Sequence, residues 1–210
     1  MSTITVVDYG MGNVGSLLNA IKKNGHEGVL SSSEEQILRS HKVILPGVGS
    51  FDKGVTELRK RHLDRILEKA VFEEGIPLLG ICLGMQLLGG GSEEGKLDGL
   101  AWLPFSCVKF LPRGNERVPL MGWRPLELSS KNEGEFLFKG LGKQSKFYFV
   151  HSYYAKSSDP MCVLAKTLYA GIHFDAVVGR SHVFGVQFHP EKSLRYGLAV
   201  LANFCSWVRP

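Results

Sequence analysis

The chain has 210 residues, is 44% hydrophobic and carries a formal net charge of only +5. This length and apolar content suit one globular unit, and we predict a single domain over residues 1–210. Because the charge is mild and no aromatics are interleaved with the basic residues, nucleic acid is not an expected partner. No apolar run reaches the roughly 18 residues that a bilayer span needs, so we predict a cytoplasmic protein without membrane association.

The first ninety residues alternate short apolar strands with helical patterns. Strands are predicted at Ile4 to Val7, Lys42 to Leu45 and Pro77 to Ile81. Helical spacing runs from about Val14 to Lys23 and from Val55 to Val71. Repeated strand and helix units pair their strands in parallel through right-handed crossovers. We therefore predict the α/β class, with an open mixed, largely parallel central sheet and helices on both faces, as in flavodoxin-like folds.

The later part of the chain is richer in strand patterns. From about residue 97 to residue 166 there are short β-rich pieces, including Val118 to Trp123 and Lys146 to Tyr154. A further strand is predicted at Val183 to His189, and a closing helix from Arg195 to Val208. An open sheet of this kind binds its ligand at the carboxyl ends of its strands, where the motifs below lie.

One cysteine stands between two glycines where the third strand meets an apolar helix, in Gly80-Ile-Cys82-Leu-Gly84. This is the arrangement of a nucleophile elbow, with cysteine in the place of serine. The glycines permit the sharp turn, and the N-terminal amides of the helix face the sulfur and favour the thiolate. We therefore predict that Cys82 is a nucleophile. The remaining cysteines lack such flanks and are predicted to be buried, small apolar side chains: Cys107, Cys162 and Cys205.

A general base is expected in Phe188-His189-Pro190-Glu191, at the end of the last predicted strand. Residues two apart in an extended segment point the same way, so His189 and Glu191 would lie side by side. His189 would accept the proton of Cys82, and Glu191 would fix the imidazole tautomer. Together the three residues predict a Cys-His-Glu triad.

Acyl transfer also requires amide donors for the oxyanion of the tetrahedral intermediate. The turn Pro46-Gly47-Val48-Gly49 follows the second strand, and its glycines allow an N–H to face the site. The backbone N–H of Leu83, one residue past the nucleophile, would be the second donor.

A different function is suggested by Gly10, Gly12 and Gly15, which form a Gly-x-Gly-x-x-Gly pattern between a strand and a helix. With Glu34 and Glu35 about twenty residues on, this pattern is compatible with a dinucleotide site. A nicotinamide enzyme would, however, leave the separate Cys, His and Glu residues unexplained.

Taken together, these motifs resemble the class I (triad) glutamine amidotransferases, and among them the glutaminase subunits of imidazole glycerol phosphate synthases. The resemblance covers almost the whole chain. It rests on Val7-Asp-Tyr-Gly-Met-Gly-Asn13, Leu45-Pro-Gly-Val-Gly49, Gly80-Ile-Cys-Leu-Gly-Met-Gln-Leu-Leu88, Ser92-Glu-Glu94, Tyr148-Phe-Val-His-Ser152 and Phe188-His-Pro-Glu-Lys-Ser193.

The resemblance implies hydrolysis of L-glutamine by Cys82, His189 and Glu191, with neither a cofactor nor a metal. It also implies a heterodimer, in which the released ammonia travels through a tunnel to a (β/α)8-barrel cyclase of histidine biosynthesis. By motif position, Gly49 and Leu83 are the implied oxyanion donors. The residues implied to hold glutamine are Gly47, Gln86 and the backbone around His151 and Ser152.

The same resemblance reassigns the glycine-rich segment from Asp8 to Asn13 to the partner-facing, tunnel side of the subunit. The chain departs from the family pattern nearby, since Leu120 and Arg124 stand where the family usually has His and Asn. The family keeps this segment close to the shared interface. An alternative partner therefore stays open, a related barrel that uses ammonia to amidate a sugar of a surface polysaccharide. A stand-alone cysteine hydrolase on the same triad is a third hypothesis, which needs no partner.

Overall fold

The computed structural model describes residues 2–111, 116–129 and 134–208. The α-helices of these residues are α1 (Val14–Lys23), α2 (Glu34–Leu38), α3 (Phe51–Lys60), α4 (Leu63–Glu68), α5 (Leu83–Leu87) and α6 (Leu194–Ser206). The strands are β1 (Thr3–Val7), β2 (Glu27–Ser31), β3 (Lys42–Leu45), β4 (Leu78–Ile81), β5 (Phe105–Lys109), β6 (Leu120–Pro125), β7 (Glu127–Leu128), β8 (Lys146–His151), β9 (Tyr153–Ser157), β10 (Val163–Tyr169), β11 (Ile172–Arg180) and β12 (Val183–Val186).

The main sheet has the strand order β2-β1-β3-β4-β12-β11-β10-β7. Its first five strands are parallel, and β11, β10 and β7 continue it in antiparallel fashion. Strands β3, β4 and β12 are buried along their whole length, as expected of central strands covered on both faces. The predicted fold class, an open mixed and largely parallel sheet, is confirmed.

Two hydrophobic clusters lie on opposite faces of this sheet. Because side chains alternate along a strand, Val6 and Ile44 belong to one cluster, while their neighbours Val7 and Leu45 belong to the other. Helices α1 and α6 cover the first cluster, and α3, α4 and α5 cover the second. The helices on both faces, predicted from the sequence, are therefore present.

Two smaller β units sit beside the antiparallel half of the sheet. Strand β9 pairs with β5 along its length and meets β11 at one register position, Ala155 opposite Asp175. Strands β6 and β8 form a separate antiparallel ribbon, in which Leu120 faces His151. The β-rich piece predicted from Lys146 to Tyr154 forms two strands, since the chain changes partner at Ser152 and becomes β8 and β9.

The helical pattern predicted from Val55 to Val71 is not one helix. His62 adopts a left-handed backbone with a φ of 56°, which ends the first helix and starts the next. A π-helical turn over Lys69–Glu73 follows, and Gly75 then takes a φ of 68° and ends the segment. The apolar spacing persists across the break because both helices pack on the same face of the sheet.

The last predicted strand also ends earlier than expected. Strand β12 stops at Val186, and Pro190–Lys192 form a single 3-10 turn instead of extended chain. Several elements were not predicted from the sequence, namely β2, α2, β5, β10 and β11. Strand β2 lies at an edge and is only partly buried, so it lacks the apolar run that marks β3 and β4.

Among the residues that the structure describes, no helix combines the length and the apolar character that a bilayer crossing requires.

Candidate active site

Cys82 lies at the tight junction between β4 and α5. Its backbone has a φ of 53° and a ψ of −109°, and its N–H donates to the Val186 carbonyl at 2.8 Å. The junction is so close that a Cβ added at Gly80 would lie 2.7 Å from the Gly84 carbonyl oxygen. The two glycines are therefore required by the turn, as the elbow motif predicts.

His189 and Glu191 lie side by side at the carboxyl end of β12. His189 Nδ1 is 2.8 Å from Glu191 Oε1, and both side chains are almost fully buried. The reason predicted for their proximity was nevertheless wrong, since Glu191 lies in the 3-10 turn that begins at Pro190. The turn brings the Glu191 carboxylate within hydrogen-bonding distance of the imidazole, so the pair forms without an extended strand.

The electrostatics of His189 favour its protonated form. Burial acts to lower its pKa, but hydrogen bonds and charge interactions with Cys82 and Glu191 outweigh burial and raise the pKa to about 9. A histidine with this pKa carries a positive charge at neutral pH. An imidazolium beside a cysteine stabilises the thiolate, which is the nucleophilic form.

Gln187 was not identified from the sequence. It is fully buried, and its amide Nε2 donates to Cys82 Sγ at 3.8 Å. Its Oε1 accepts from Gln86 Nε2 at 3.1 Å, and Gln86 Nε2 also donates to the Tyr153 carbonyl at 3.1 Å. Gln187 precedes His189 by two residues, and this spacing is a signal that could have drawn attention to it.

The loop Pro46-Gly47-Val48-Gly49 passes directly over the elbow. The Leu83 N–H points to the Gly47 carbonyl at 3.4 Å, a long hydrogen bond. A Cβ at Gly47 would lie 2.9 Å from Leu83 Cβ, so only glycine fits between the loop and α5. Gly49 has a φ of 124°, a conformation that other residues rarely adopt. Tyr9 supports the loop from below, its hydroxyl donating to the Pro46 carbonyl at 2.6 Å.

A cavity of about 350 Å³ opens above Cys82 and brings most of the predicted site residues together. Two of the predicted residues do not line it: Gly47 is packed closely against Leu83, and Glu191 is hydrogen-bonded to His189 Nδ1. The predicted residues that line it are Gly49, Cys82, Leu83, Gln86, His151, Ser152 and His189.

Glu94 also lines this cavity, although no role was predicted for it from the sequence. One carboxylate oxygen accepts from the Phe51 N–H at 2.8 Å, at the N-terminus of α3. The hydrogen bond fixes the carboxylate at the edge of the cavity, where it is a negative group available to a cationic ligand. The motif Ser92-Glu-Glu94 was the available signal.

His151 is held neutral inside the protein. Burial lowers its pKa to about 4, although a hydrogen bond between its Nδ1 and the Tyr153 carbonyl, 2.7 Å long, acts in the opposite direction. Since Nδ1 is the donor, Nε2 is an acceptor, and it has no hydrogen-bond partner among the described residues. His151 is therefore a weak base, and of the two histidines that line the cavity only His189 has a raised pKa.

The two residues that depart from the family pattern are not equivalent. Leu120 is fully buried in the core of this subunit, so its side chain is not exposed to a partner. Arg124 places its guanidinium 5.1 Å from the ring centroid of Tyr169, and its buried Nε has no partner among the described residues. The charge of Arg124 is thus engaged with an aromatic face of its own subunit.

The glycine-rich turn after β1 lies beside the active-site loop. A Cβ at Gly12 would be 3.6 Å from Pro46 Cβ, and Gly10 and Gly12 have φ values of 78° and 136°. Gly15 lies inside α1. Gly10 and Gly12 thus form a turn that packs against the loop from Pro46 to Gly49. This packing explains the two glycines without a phosphate-binding site.

The three cysteines outside the elbow are buried and free, as predicted. Burial raises the pKa of Cys205 to about 12 and raises that of Cys107 further still. Neither is therefore a competitor for the role of nucleophile.

Comparison with known proteins places this geometry in a sequence context. The family model for glutamine amidotransferase class-I matches residues 5–207. A protein of Methanococcus maripaludis named imidazole glycerol phosphate synthase subunit HisH 2 is 46% identical, over 96% of this chain and 98% of that protein. A Pseudomonas aeruginosa protein of the same name is 45% identical, over 98% and 100% of the two chains. The subunit HisH of Trichodesmium erythraeum is 41% identical, over 100% and 97%.

Solved structures share the fold at lower sequence identity. The glutaminase domain of a Trypanosoma brucei CTPS superposes with a TM-score of 0.67 at 15% identity, over 100% of this chain and 97% of that one. A chain of the PurLQS structure from Thermotoga maritima superposes with a TM-score of 0.65 at 20% identity, over 97% and 98%.

Proposed function

The chain belongs to the glutamine amidotransferase class-I family, and from that premise we propose that it is the glutaminase subunit of an imidazole glycerol phosphate synthase. The observation that carries the proposal is the buried, hydrogen-bonded pair His189 and Glu191, whose imidazole lines the same cavity as Cys82. Glutamine is hydrolysed at this site to glutamate and ammonia. The reaction needs water as its only co-reactant, so no cofactor or metal is required to balance it.

The first half of the reaction forms a thioester. The thiolate of Cys82 attacks the carboxamide carbon of glutamine, and the charge moves to the carbonyl oxygen of the tetrahedral intermediate. His189, which carries a proton at neutral pH, donates it to the departing nitrogen as the C–N bond breaks. Glu191 holds the proton-bearing Nδ1 of the ring, so Nε2 faces the sulfur and the leaving group.

The second half hydrolyses the thioester. His189, now neutral, takes a proton from water, and the resulting hydroxide attacks the thioester carbon. Collapse of the second tetrahedral intermediate releases glutamate and restores the Cys82 thiolate beside the protonated His189. Gln187 donates a hydrogen bond to the sulfur. This hydrogen bond stabilises the thiolate both before it attacks glutamine and when it is expelled from the second tetrahedral intermediate.

The oxyanion is stabilised by the backbone N–H groups of Gly49 and Leu83. The Leu83 N–H points to the Gly47 carbonyl at 3.4 Å, so the loop must shift for both amides to face the oxyanion. Completing an oxyanion hole with one donor is worth roughly 10²- to 10³-fold in rate. The loop is therefore the element through which a partner subunit would switch hydrolysis on.

The amino acid end of glutamine is held at the opposite side of the cavity. Glu94 provides a fixed carboxylate for the α-ammonium group. The Gln86 amide donates through its nitrogen to Gln187 and to the Tyr153 carbonyl, which leaves its oxygen as the acceptor that a substrate can use. The backbone at His151 and Ser152 completes this end of the site.

Ammonia is consumed by a second subunit, which we propose is a (β/α)8-barrel cyclase in a cytoplasmic heterodimer. The names of the curated relatives at 41–46% identity favour imidazole glycerol phosphate synthesis over amidation of a polysaccharide sugar. Leu120 is buried and the guanidinium of Arg124 lies against Tyr169 of the same subunit, which weakens the argument for a different partner that rested on these two residues.

The proposal is tested by measuring ammonia release from glutamine by the purified chain, alone and with the barrel protein encoded beside it. We expect slow release by the isolated chain and stimulation of at least about tenfold by the cognate barrel. This lower limit is set below the roughly 10²- to 10³-fold rate effect of one oxyanion-hole donor. Imidazole glycerol phosphate formation from the same mixture identifies the acceptor.

Full turnover by the isolated chain, unchanged by the barrel, would refute the coupled-subunit proposal and favour a stand-alone hydrolase. Stimulation together with transfer of ammonia to a sugar acceptor would keep the glutaminase and replace the pathway. A glutamine analogue with an electrophilic side-chain terminus identifies the nucleophile independently, because mass spectrometry should find it on Cys82.

A further inference from the structure

Two side-chain amides form a hydrogen-bonded chain that ends at the sulfur of Cys82. Gln86, in α5, donates from its Nε2 to two acceptors, the Tyr153 carbonyl at the start of β9 and Gln187 Oε1, each at 3.1 Å. Gln187, which follows β12, donates from its own Nε2 to Cys82 Sγ at 3.8 Å. Gln187 is fully buried and Gln86 is 5% exposed, so bulk water has little access to these hydrogen bonds.

The first member of this chain sets the direction of every hydrogen bond in it. A backbone carbonyl can only accept, so the Gln86 atom beside the Tyr153 carbonyl must be the donor nitrogen. The same nitrogen faces Gln187, whose nearest atom must then be an acceptor, the oxygen Oε1. Because the oxygen and nitrogen of an amide are bonded to the same carbon, the nitrogen of Gln187 is left facing the sulfur.

The reversed orientation of the Gln187 amide is disfavoured at both of its ends. It would place two donor nitrogens about 3.1 Å apart at Gln86, and it would place a carbonyl oxygen against the Cys82 thiolate. Mismatches of this kind cost free energy in a buried site. The orientation that favours the thiolate is therefore held by Gln86, whose own amide nitrogen donates to Tyr153 and Gln187 and not to the sulfur.

We propose that Gln86 is a positioning residue for the nucleophile, which holds the Gln187 amide with its nitrogen towards Cys82 Sγ and so stabilises the thiolate before glutamine binds. The inference rests on the proposed function of Cys82 as the nucleophile. It is a second role for Gln86, which lines the cavity and offers its Oε1 to the amino acid end of glutamine. One side chain thus serves both ends of the site, through different atoms.

The test measures the thiolate of Cys82 in the full-length chain without glutamine, so that the contact of Gln86 with substrate cannot contribute. The ultraviolet absorbance of the thiolate is followed against pH, with Cys82→Ala as the blank. Gln86→Met keeps the length of the side chain and removes its donor, and the titration should move to higher pH by up to about one unit, as for loss of one hydrogen bond to a charged group. The other titratable groups that interact with the sulfur, His189, Tyr9 and Cys107, are the same in this variant and in the parent.

A double-mutant cycle shows whether Gln86 acts through Gln187. Gln187→Met should shift the titration at least as far as Gln86→Met does, since it removes the donor itself. Combining the two substitutions should cause no further shift, because the side chain through which Gln86 acts is already gone. Gln36→Met is the matched control: the Gln36 amide also donates a hydrogen bond, to Thr5 Oγ1 at 3.4 Å, but Gln36 does not line the cavity, and this variant should titrate as the parent does.

Thermal melting verifies that each variant is folded. The unmodified chain provides an independent measurement, because the NMR signals of the Gln187 and Gln86 side-chain amides should both shift as Cys82 titrates, and neither should do so in Cys82→Ala. The proposal is overturned if Gln86→Met titrates as Gln36→Met does, if the two methionine substitutions shift the titration additively, or if the Gln86 amide signals do not follow the titration. Ammonia release from glutamine by the parent chain is measured separately, so these results are distinguished from a failure of the glutaminase function.

Discussion

The proton-transfer side and the oxyanion side of the active site differ in how completely they are assembled. His189 and Glu191 are buried, and His189 Nδ1 lies 2.8 Å from Glu191 Oε1. The pKa of the imidazole is raised to about 9. The loop from Pro46 to Gly49, in contrast, lies against α5, and its Gly47 carbonyl accepts a hydrogen bond from the Leu83 N–H. In the proposed mechanism, proton transfer is therefore ready in the isolated chain, whereas oxyanion stabilisation awaits a change in the loop.

The difference follows from what supports each region. The proposed triad residues follow the carboxyl ends of strands β4 and β12, which are neighbours in the centre of the sheet and buried along their whole length. The loop is held mainly by the hydroxyl of Tyr9 and by glycine contacts, and Val48 is 42% exposed. The exposed half of the loop, Val48 and Gly49, can change conformation at lower cost than the buried Pro46 and Gly47, as a regulatory element requires.

The largest expected effect comes from removing the nucleophile on the assembled side. Cys82→Ala should abolish glutamine hydrolysis, because none of the other described residues that line the cavity is a cysteine. Synthesis by the complex from added ammonium should persist, since the loss is confined to this subunit. Ammonia release and ammonium-dependent product formation are the two measurements. Residual glutamine hydrolysis in this variant would refute the assignment of the triad.

Removal of the general acid and base should have the next largest effect. His189→Ala should lower the glutaminase rate by roughly 10²- to 10⁴-fold, the range for loss of acid-base catalysis. Alkylation of Cys82 at neutral pH should slow as well, because the stabilising imidazolium is gone. His182→Ala is the matched control, since this histidine is buried at the other end of β12 and hydrogen-bonds to the Val71 carbonyl. An unaffected rate in His189→Ala would exclude it as the base.

A substitution in the loop should affect only the unassembled side. Gly49→Ala is strained by the φ of 124°, so the loop should move and the oxyanion donor should be lost. We expect up to a 10²- to 10³-fold fall in partner-stimulated turnover, with the pKa of His189 unchanged. Gly91→Ala is the control, because its backbone is unstrained and an added Cβ meets no atom within 4 Å. Full stimulation of Gly49→Ala would contradict the role of the loop.

The smallest effect expected is a shift in the titration of His189. Below a pKa of about 9 the imidazole is protonated, and the causes that raise the pKa are its interactions with Cys82 and Glu191. Removing the carboxylate charge in Glu191→Gln should therefore lower the pKa, while the amide still orients the ring and keeps part of the activity. Ring-proton chemical shifts followed by NMR from pH 5 to pH 10 measure this change. A pKa that stays near 9 would show that Glu191 does not stabilise the imidazolium.

Much of the site was predictable because its residues have strict local requirements. The elbow at Cys82 needs glycines on both sides, and the fully buried strands β3 and β4 form unbroken apolar runs. The proximity of His189 to Glu191 was predicted for a wrong reason, because the sequence does not reveal where β12 ends and the 3-10 turn starts. Gln187 and Glu94 were missed, since their importance lies in contacts with Cys82 and Phe51, which are distant in the chain.

The sequence by itself determined the class of fold and predicted Cys82 as the nucleophile and His189 as its base, because local sterics and strand burial leave a distinctive pattern in the chain. The tertiary structure alone decided how these groups are charged and which of them are free to act. The neutrality of His151, the engagement of the Leu83 N–H and the burial of Leu120 all depend on neighbours far away in sequence. Solvation and long-range contacts set these properties, and no local pattern of residues encodes them.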